Sequence, residues 1–82
     1  MDLVELTKNI VTSLVVDTDG VSVKEFPSNL ENTILIQVMV AESDMGRVIG
    51  RDGRTANAIR TLVQASSSLH DNKYVKINID KF

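Results

Sequence analysis

The sequence predicts an α+β fold with the element order α-β-β-α-α-β. In three short segments apolar residues alternate with polar ones, which is the period of a half-buried strand. In two longer segments they recur every three or four residues, which is the period of an amphipathic helix. A chain of 82 residues, 43% of them hydrophobic, is long enough for one small core. We therefore expect one domain spanning residues 1–82.

The first helix is predicted over residues 3–15, where the apolar positions form one stripe. Asp2 is a suitable N-cap, and Glu5 follows it at the spacing of a capping box. The segment DTDG, residues 17–20, combines residues that favour turns. We expect the helix to stop before it and the chain to turn there.

Two strands are predicted next. Val21 and Val23 alternate with polar residues, and Pro27 ends this first strand. Residues 33–41 form the second strand, with branched aliphatic side chains on one face. Leu35 and Met39 make its other face partly apolar as well, which favours a central position in the sheet.

Two helices separated by a glycine turn follow. Residues 45–49 form a short helix capped by Ser43 or Asp44, and Gly50 ends it because glycine readily adopts the left-handed conformation at a helix C-terminus. The second helix covers residues 54–69. Its predicted inward stripe is Ile59, Leu62, Val63, Ser66 and Leu69, with small Ala56 and Ala58 allowing close packing.

The last strand is predicted from the alternation of Val75, Ile77 and Ile79 with polar residues. A helical crossover joins it to the preceding strand, so the two should be parallel, whereas the first two strands share a short loop and should be antiparallel. The predicted architecture is a three-stranded mixed sheet with three helices on one face.

Positive charge is concentrated in one segment. The chain carries a net charge of −2, yet all four arginines lie between Arg47 and Arg60, with Asp52 the single acid among them. That segment has a charge of +3 and the remainder −5. Charges more than about 10 Å apart are largely screened at ~0.1 M salt, so the local excess favours an anion-binding site.

The Gly50-x-x-Gly53 turn is a candidate phosphate site. Two glycines allow a sharp turn and close approach of another backbone, and the following helix directs free N–H groups into it. Arg51 and Arg54 flank the turn and can meet phosphate oxygens. Nucleobases would then lie against an apolar groove formed by Val48, Ile49 and the edge of the central strand.

The segment VIGRDGRTANAI, from Val48 to Ile59, resembles the signature of the K-homology (KH) domain, in which Ile-Gly-x-x-Gly precedes a helix. KH domains bind single-stranded RNA or DNA, with this loop clamping about four nucleotides. The element order resembles the type II arrangement and covers essentially the whole chain. The resemblance implies an RNA-binding site made of Arg47, Val48, Ile49, Gly50, Arg51, Asp52, Gly53 and Arg54.

Size and the segment GRVIGRDGRTANAIR are most similar to the KhpA (YlqC) family of small bacterial RNA-binding proteins. That resemblance implies an RNA chaperone linked to cell-wall homeostasis and cell length. It also implies pairing with itself, with the larger KH protein KhpB, or with both. One feature departs from the KH pattern: the variable loop positions are commonly basic or polar, and the second here is Asp52, which either caps the next helix or pairs with Arg51 or Arg54.

Other functions find little support. The turn lacks the Gly-x-Gly-x-x-Gly of dinucleotide sites and the Gly-Lys-Ser/Thr of a Walker A loop. No nucleophile–base pair or metal-ligand spacing is visible, His70 lies in a turn, and there is no cysteine, so we expect neither an enzyme nor a cofactor. None of the three aromatic residues lies in an RNA-stacking motif.

Two functional hypotheses remain. The arginine cluster favours an RNA-binding module, whereas Asp52 and the acidic net charge favour a KH-fold assembly subunit with secondary nucleic-acid contacts. Arg47 fits either the phosphate site or a surface pair with Asp44, and Arg60 fits a solvated helix face. The acidic N-terminus and the lack of a long apolar run predict a soluble, cytoplasmic protein.

Overall fold

A computed structural model describes residues 2–82. The helices are α1 (Leu3–Thr12), α2 (Met45–Ile49) and α3 (Arg54–His70), and the strands are β1 (Ser22–Phe26), β2 (Thr33–Val40) and β3 (Tyr74–Lys81). The element order α-β-β-α-α-β is therefore confirmed. Within these residues no helix is long and apolar enough to cross a membrane.

The strands form one mixed sheet in the order β1-β2-β3. β1 pairs with β2 antiparallel, and β2 pairs with β3 in parallel, as predicted. β2 is central and β1 and β3 are the edge strands. One sheet face carries the buried Ile36, Val38 and Ile77 and packs under the helices. We call the other side, which carries Phe26 and Leu35, the open face.

α1 begins as predicted and ends three residues early. Asp2 caps it, because its carboxylate accepts a hydrogen bond from the N–H of Glu5 (3.0 Å). The helix stops at Thr12 rather than at residue 15. After the helix, the N–H groups of Val16 and Asp17 donate to the Asp44 carboxylate instead of to helical carbonyl groups.

The inward stripe of α3 differs from the prediction. Ile59 and Val63 are buried as expected, and so is Ala56, but Leu62 and Leu69 are 51% and 79% exposed. The buried side of the helix consists of Ala56, Ile59, Val63 and Ser67. Ala58 is likewise exposed.

Ser67 explains why the prediction for α3 was wrong. It is fully buried, and its hydroxyl donates to the carbonyl of Lys73 at 2.7 Å. A buried hydroxyl that has a hydrogen-bond partner is tolerated in a core, so Ser67 can lie on the buried side of α3. With Ser67 on that side, the buried stripe is rotated around the helix away from Leu62 and Leu69.

Candidate nucleic-acid interface

The turn between α2 and α3 has an unusual backbone. Three of its four residues have positive φ: Gly50 (φ 75°, ψ 175°), Asp52 (φ 56°, ψ 26°) and Gly53 (φ 77°, ψ 11°). Gly50 ends α2, as predicted. Its ψ, however, places it in an extended region that is almost exclusive to glycine, rather than in the left-handed helical region.

The two glycines have different surroundings. A Cβ atom at Gly50 would collide with the Thr55 hydroxyl and lie 2.9 Å from the Thr55 backbone nitrogen. At Gly53 a Cβ would have no atom within 4 Å. Gly50 therefore allows the start of α3 to pack against the end of α2, whereas Gly53 leaves open space above the loop.

Asp52 is suited to the backbone conformation at its position in the turn. It lies in the left-handed region, which Asp and Asn adopt more readily than most other non-glycine residues. Its side chain is exposed. It does not cap α3, and within residues 2–82 it forms no ion pair with Arg51 or Arg54, so neither role considered for it from the sequence is seen.

The N-terminus of α3 is open to a ligand. Its N-cap residue is Gly53, and no side chain accepts a hydrogen bond from the first turn. Arg51 and Arg54 are exposed beside it and make no ion pair or side-chain hydrogen bond within the described part of the chain. An uncapped helix N-terminus with two unpaired guanidinium groups suits an anion such as phosphate.

Asp44 does not cap α2 with its side chain, which corrects the sequence prediction. Its carboxylate is 1% exposed and accepts hydrogen bonds from the N–H groups of Val16 and Asp17, both at 3.0 Å. These two N–H groups, aided by Arg47, hold the pKa of the Asp44 carboxyl below its usual value, against the opposing effect of burial. Asp44 thereby ties the start of α2 to the segment after α1.

Arg47 belongs to the same cluster. Its guanidinium lies 3.2 Å from the Asp44 carboxylate and donates to the carbonyl of Ser43 at 3.0 Å. Of the two roles left open for Arg47, the structure shows the pair with Asp44. The side chain is half exposed, and its Nη1 makes both of these bonds.

Arg60 does not simply occupy a solvated face. Its Nε donates to the carbonyl of Ile77 on β3 (3.3 Å), and one turn later Gln64 accepts from the N–H of Val75 (2.8 Å). Both bonds reach outward-facing backbone groups of an edge strand. Arg60, Thr61, Gln64, Ala65 and Val75 line a groove of about 470 Å³ between α3 and β3.

The groove between α3 and β3 differs from the apolar groove that the sequence predicted at Val48, Ile49 and the edge of the central strand. Val48 is fully buried in the core, so its side chain does not reach a ligand, and β2 is paired on both sides, so it has no free edge. Ile49 remains partly exposed. Sequence reasoning missed Gln64, although its spacing of four from Arg60 on a helix that returns to a parallel strand was a usable signal.

His70 is the last residue of α3 and is exposed. Within residues 2–82 no group of three or more His, Cys, Asp or Glu side chains could hold a metal ion.

A scan against models of protein families matches residues 4–79 to the model described as KhpA/KhpB, KH domain. The chain belongs to this family. The family is non-enzymatic. Because the match covers nearly all of the described chain, the helix-turn-helix around Gly50 and Gly53 lies inside the KH fold rather than forming an isolated connection.

Curated relatives agree with this assignment. The chain is 45% identical over 75 residues to the RNA-binding protein KhpA of Caldanaerobacter subterraneus, covering 92% of this chain and 96% of that one. It is 41% identical to the KhpA of Clostridium acetobutylicum with the same coverage. It is 40% identical to the KhpA of Chlamydia trachomatis, covering 92% of both chains.

Solved structures share the fold at low sequence identity. Aquifex aeolicus Era bound to GDP and AlF4− matches with a TM-score of 0.72 and 16% identity. Era in complex with MgGDPNP and nucleotides 1506–1542 of 16S ribosomal RNA matches with a TM-score of 0.68 and 17% identity. The match covers 98% and 96% of this chain but only 30% and 29% of those chains.

Proposed function

We propose that this chain is a cytoplasmic, single-domain KH protein, residues 1–82, that binds single-stranded RNA. Relatives at 40–45% identity are named as RNA-binding proteins. The observation that carries the proposal is the N-terminus of α3, which within residues 2–82 has no side-chain cap and stands beside two unpaired arginines and an open Gly53. Phosphates of the RNA backbone would lie there.

The bases would lie in the groove between α3 and β3. That groove starts from the same helix as the phosphate site and is lined by Gln64, Thr61 and the aliphatic Val75 and Ala65. Arg60 also lines the groove with its guanidinium group, whereas the Gln64 amide already bonds to Ser68, Lys73 and Val75 and serves to hold α3 against β3. A guanidinium plane can stack on the base faces of a splayed single strand.

Mutation of the loop tests this proposal. Replacing both Arg51 and Gly53 by Asp should abolish binding to a short single-stranded RNA while leaving the fold intact, because the added acids repel phosphate and the Gly53 position has space for a side chain. Gel shifts measure the binding, and circular dichroism checks the fold. Unchanged affinity in a folded variant would exclude this loop as the RNA site.

By family resemblance, we further propose that the RNA binding serves an RNA chaperone or post-transcriptional role connected to cell-wall homeostasis and cell length. One clamp contacts about four nucleotides, and phosphate contacts carry no sequence information. A single module should therefore bind weakly. Joining two modules on one RNA raises avidity by about 10²–10⁴.

A second candidate function, an assembly subunit, is favoured by an exposed apolar strip on α3. Leu62 is 51% exposed, and beside it Ile10 and Leu14 of α1 help to line an apolar cleft of about 180 Å³. Leu69 continues the strip and is 79% exposed. We propose this strip as the surface through which the chain forms a homodimer or pairs with KhpB.

The strip is tested by replacing Leu62 with Asp and measuring association in the analytical ultracentrifuge. We expect the wild-type chain to dimerise and the variant to sediment as a monomer. Replacing Phe26 by Asp is the matched control, because Phe26 is 50% exposed and lies on the open face, across the sheet from α3; it should leave association unchanged. A wild type that stays monomeric at high concentration and still binds a short RNA tightly would contradict the valency argument.

A further inference from the structure

All three aromatic residues of the chain lie on the open face of the sheet. Strand register places Phe26 opposite Leu35 and Tyr74 opposite Thr33. Phe82 continues the alternation of β3, because its N–H still donates to the carbonyl of Val40 (3.1 Å). The three side chains are 50%, 72% and 70% exposed. Instead of filling the core, the three side chains contact water, with Phe26 and Tyr74 toward one end of the sheet and Phe82 at the other.

A shallow cavity of about 280 Å³ lies on this face and is lined by Phe26, Leu35, Gln37 and Asn78, together with Ile36. It combines an aromatic ring with two side-chain amides. The Gln37 amide makes only long hydrogen bonds of 3.4–3.5 Å, and the Asn78 amide makes none within residues 2–82. These amides are available to pair with a flat, polar ligand edge.

Two lysines flank the cavity. Register places Lys24 of β1 opposite Gln37, and Lys76 of β3 opposite Leu35, so the cations stand on both sides of the central strand. Neither lysine forms an ion pair within the described residues. The acid on the same face is Asp80 on β3, farther along the strand, where its carboxylate accepts from the N–H of Lys81. The face is therefore positive in a chain whose net charge is −2.

We propose that the open face is a second contact site for single-stranded RNA. A nucleobase stacks on Phe26, the amides of Gln37 and Asn78 meet its polar edge, and Lys24 and Lys76 meet the flanking phosphates. Base–aromatic stacking tolerates any base, because every base has a π-face. This inference rests on the proposed function, which it extends from the loop and the α3–β3 groove to the other side of β3.

Charge argues for RNA over a second copy of the chain on this face. Packing two open faces against each other would bring two sets of lysines together with Asp80 as the matching acid on each side. Like charges placed across an interface disfavour association. A polyanion is complementary to the same lysines, and it can reach both sites by passing around the exposed edge of β3.

The site predicts a dependence on RNA length. A tetranucleotide fills the loop site, whereas an RNA of twelve nucleotides reaches both sites. In ¹⁵N-labelled full-length protein, we expect oligo(U) of four residues to shift the backbone amides of residues 51–56. Oligo(U) of twelve residues should in addition shift the side-chain amide signals of Gln37 and Asn78.

Mutation sharpens the test. Replacing Phe26 by Ser should weaken binding of the twelve-residue RNA about tenfold and leave binding of the four-residue RNA unchanged, because one stacked base is lost. Replacing Val16 by Ser removes an apolar side chain that is more exposed than Phe26 (75% against 50%) and lies outside the cavity, so it should change neither affinity. If the Phe26 variant does not fold, replacing Lys24 and Lys76 by Glu should give the same length-dependent loss.

The outcomes separate the two proposals. Loop shifts with both RNAs and a silent open face would overturn this inference and leave the proposed function intact. Open-face shifts with a silent loop would support this inference and contradict the loop as the RNA site. Open-face signals that depend on protein concentration without RNA would assign the face to a second copy of the chain and overturn the inference.

Discussion

The two halves of the glycine turn differ in how their polar groups are used. On the α2 side, Asp44 and Arg47 bond to each other and to backbone groups, Val48 is buried, and Gly50 has no room for a Cβ atom. On the α3 side, Gly53 has open space, and no side chain caps the helix. The first half is held by side-chain bonds, whereas within residues 2–82 the arginine side chains of the second half make none.

This difference indicates a division of labour within one short turn. The α2 half fixes the position of the loop, so mutations there should act on stability. The α3 half presents a helix N-terminus without a side-chain cap and two guanidinium groups that are unpaired within residues 2–82, so mutations there should act on RNA binding. Because the hydrogen bonds of the α2 half already hold the loop in one conformation, the loop does not have to be ordered when RNA binds. This lowers the entropic cost of binding.

The largest expected effect is on stability at Gly50. Replacing it by Ala should lower the free energy of unfolding by about 2–4 kcal/mol, because the Cβ atom collides with Thr55 and φ is +75°. Urea denaturation measures this. Gly46 is the matched control, since it lies in helical α2 with no atom within 4 Å of a Cβ. Replacing Gly46 by Ala should be neutral or stabilising by up to about 1 kcal/mol. Equal destabilisation by both substitutions would contradict the claim that Gly50, unlike Gly46, has no room for a Cβ atom.

The next largest effect is on RNA binding by the other half. Exchanging Arg51 and Gly53 together for Asp should abolish measurable binding, a loss of at least about 100-fold, because phosphate contacts dominate the affinity for RNA. The left-handed backbone at residue 53 costs a non-glycine residue about 1–2 kcal/mol, so stability should fall only modestly. Urea midpoints and RNA titrations on the same sample check both statements. If the variant lost its fold together with its RNA binding, the claim that the α3 half acts on binding rather than on stability would be contradicted.

Asp44 should give the α2 half a pH dependence. Its pKa is lowered in the folded protein, so its contribution to stability is complete above the unfolded pKa and is lost as the pH falls through the folded pKa. Replacing Asp44 by Asn should lower the urea midpoint at pH 7 and make the further loss on acidification smaller than in wild type. Parallel pH profiles for the two proteins would show that the Asp44 carboxylate contributes little.

The smallest effect is expected at Asp52. Replacing it by Lys should tighten nonspecific RNA binding severalfold and steepen the slope of log affinity against log salt by about 0.7 per added phosphate contact on a single strand. The Asn variant keeps a residue suited to the left-handed backbone and removes only the charge, so it should give an intermediate affinity. A slope that does not change in the Lys variant would place this side chain away from the RNA.

Much of the fold followed from short-range patterns. Alternation in β2 and β3 predicted their buried faces, and the long crossover between them predicted parallel pairing. The errors came from contacts between residues distant in sequence. The end of α1 depends on Asp44, which lies 28 residues beyond Val16. The rotation of α3 depends on the bond from Ser67 to Lys73 across the helix–strand turn.

Only part of the candidate site could be predicted, because here too short-range patterns are visible in the sequence and long-range contacts are not. A glycine spacing and a cluster of arginines are visible in the sequence, so Gly50, Gly53, Arg51 and Arg54 could be placed on one turn. Which arginines are already paired is a property of three-dimensional packing. The gathering of Phe26 and Tyr74 on one sheet face required the strand register, because they come from strands far apart in the chain.

The central claim is that arginines without protein partners bind RNA phosphate. It is tested most directly by the salt dependence of RNA affinity in two double variants that remove the same charge. Replacing Arg51 and Arg54 by Ala should make the slope of log affinity against log salt shallower by about 1.4, which corresponds to two phosphate contacts on a single strand. Replacing by Ala both Arg47 and Arg60, whose guanidinium groups already donate through Nη1 to Asp44 and through Nε to Ile77, should change the slope much less. Equal changes in both variants would contradict the account, because they would show that only total charge matters.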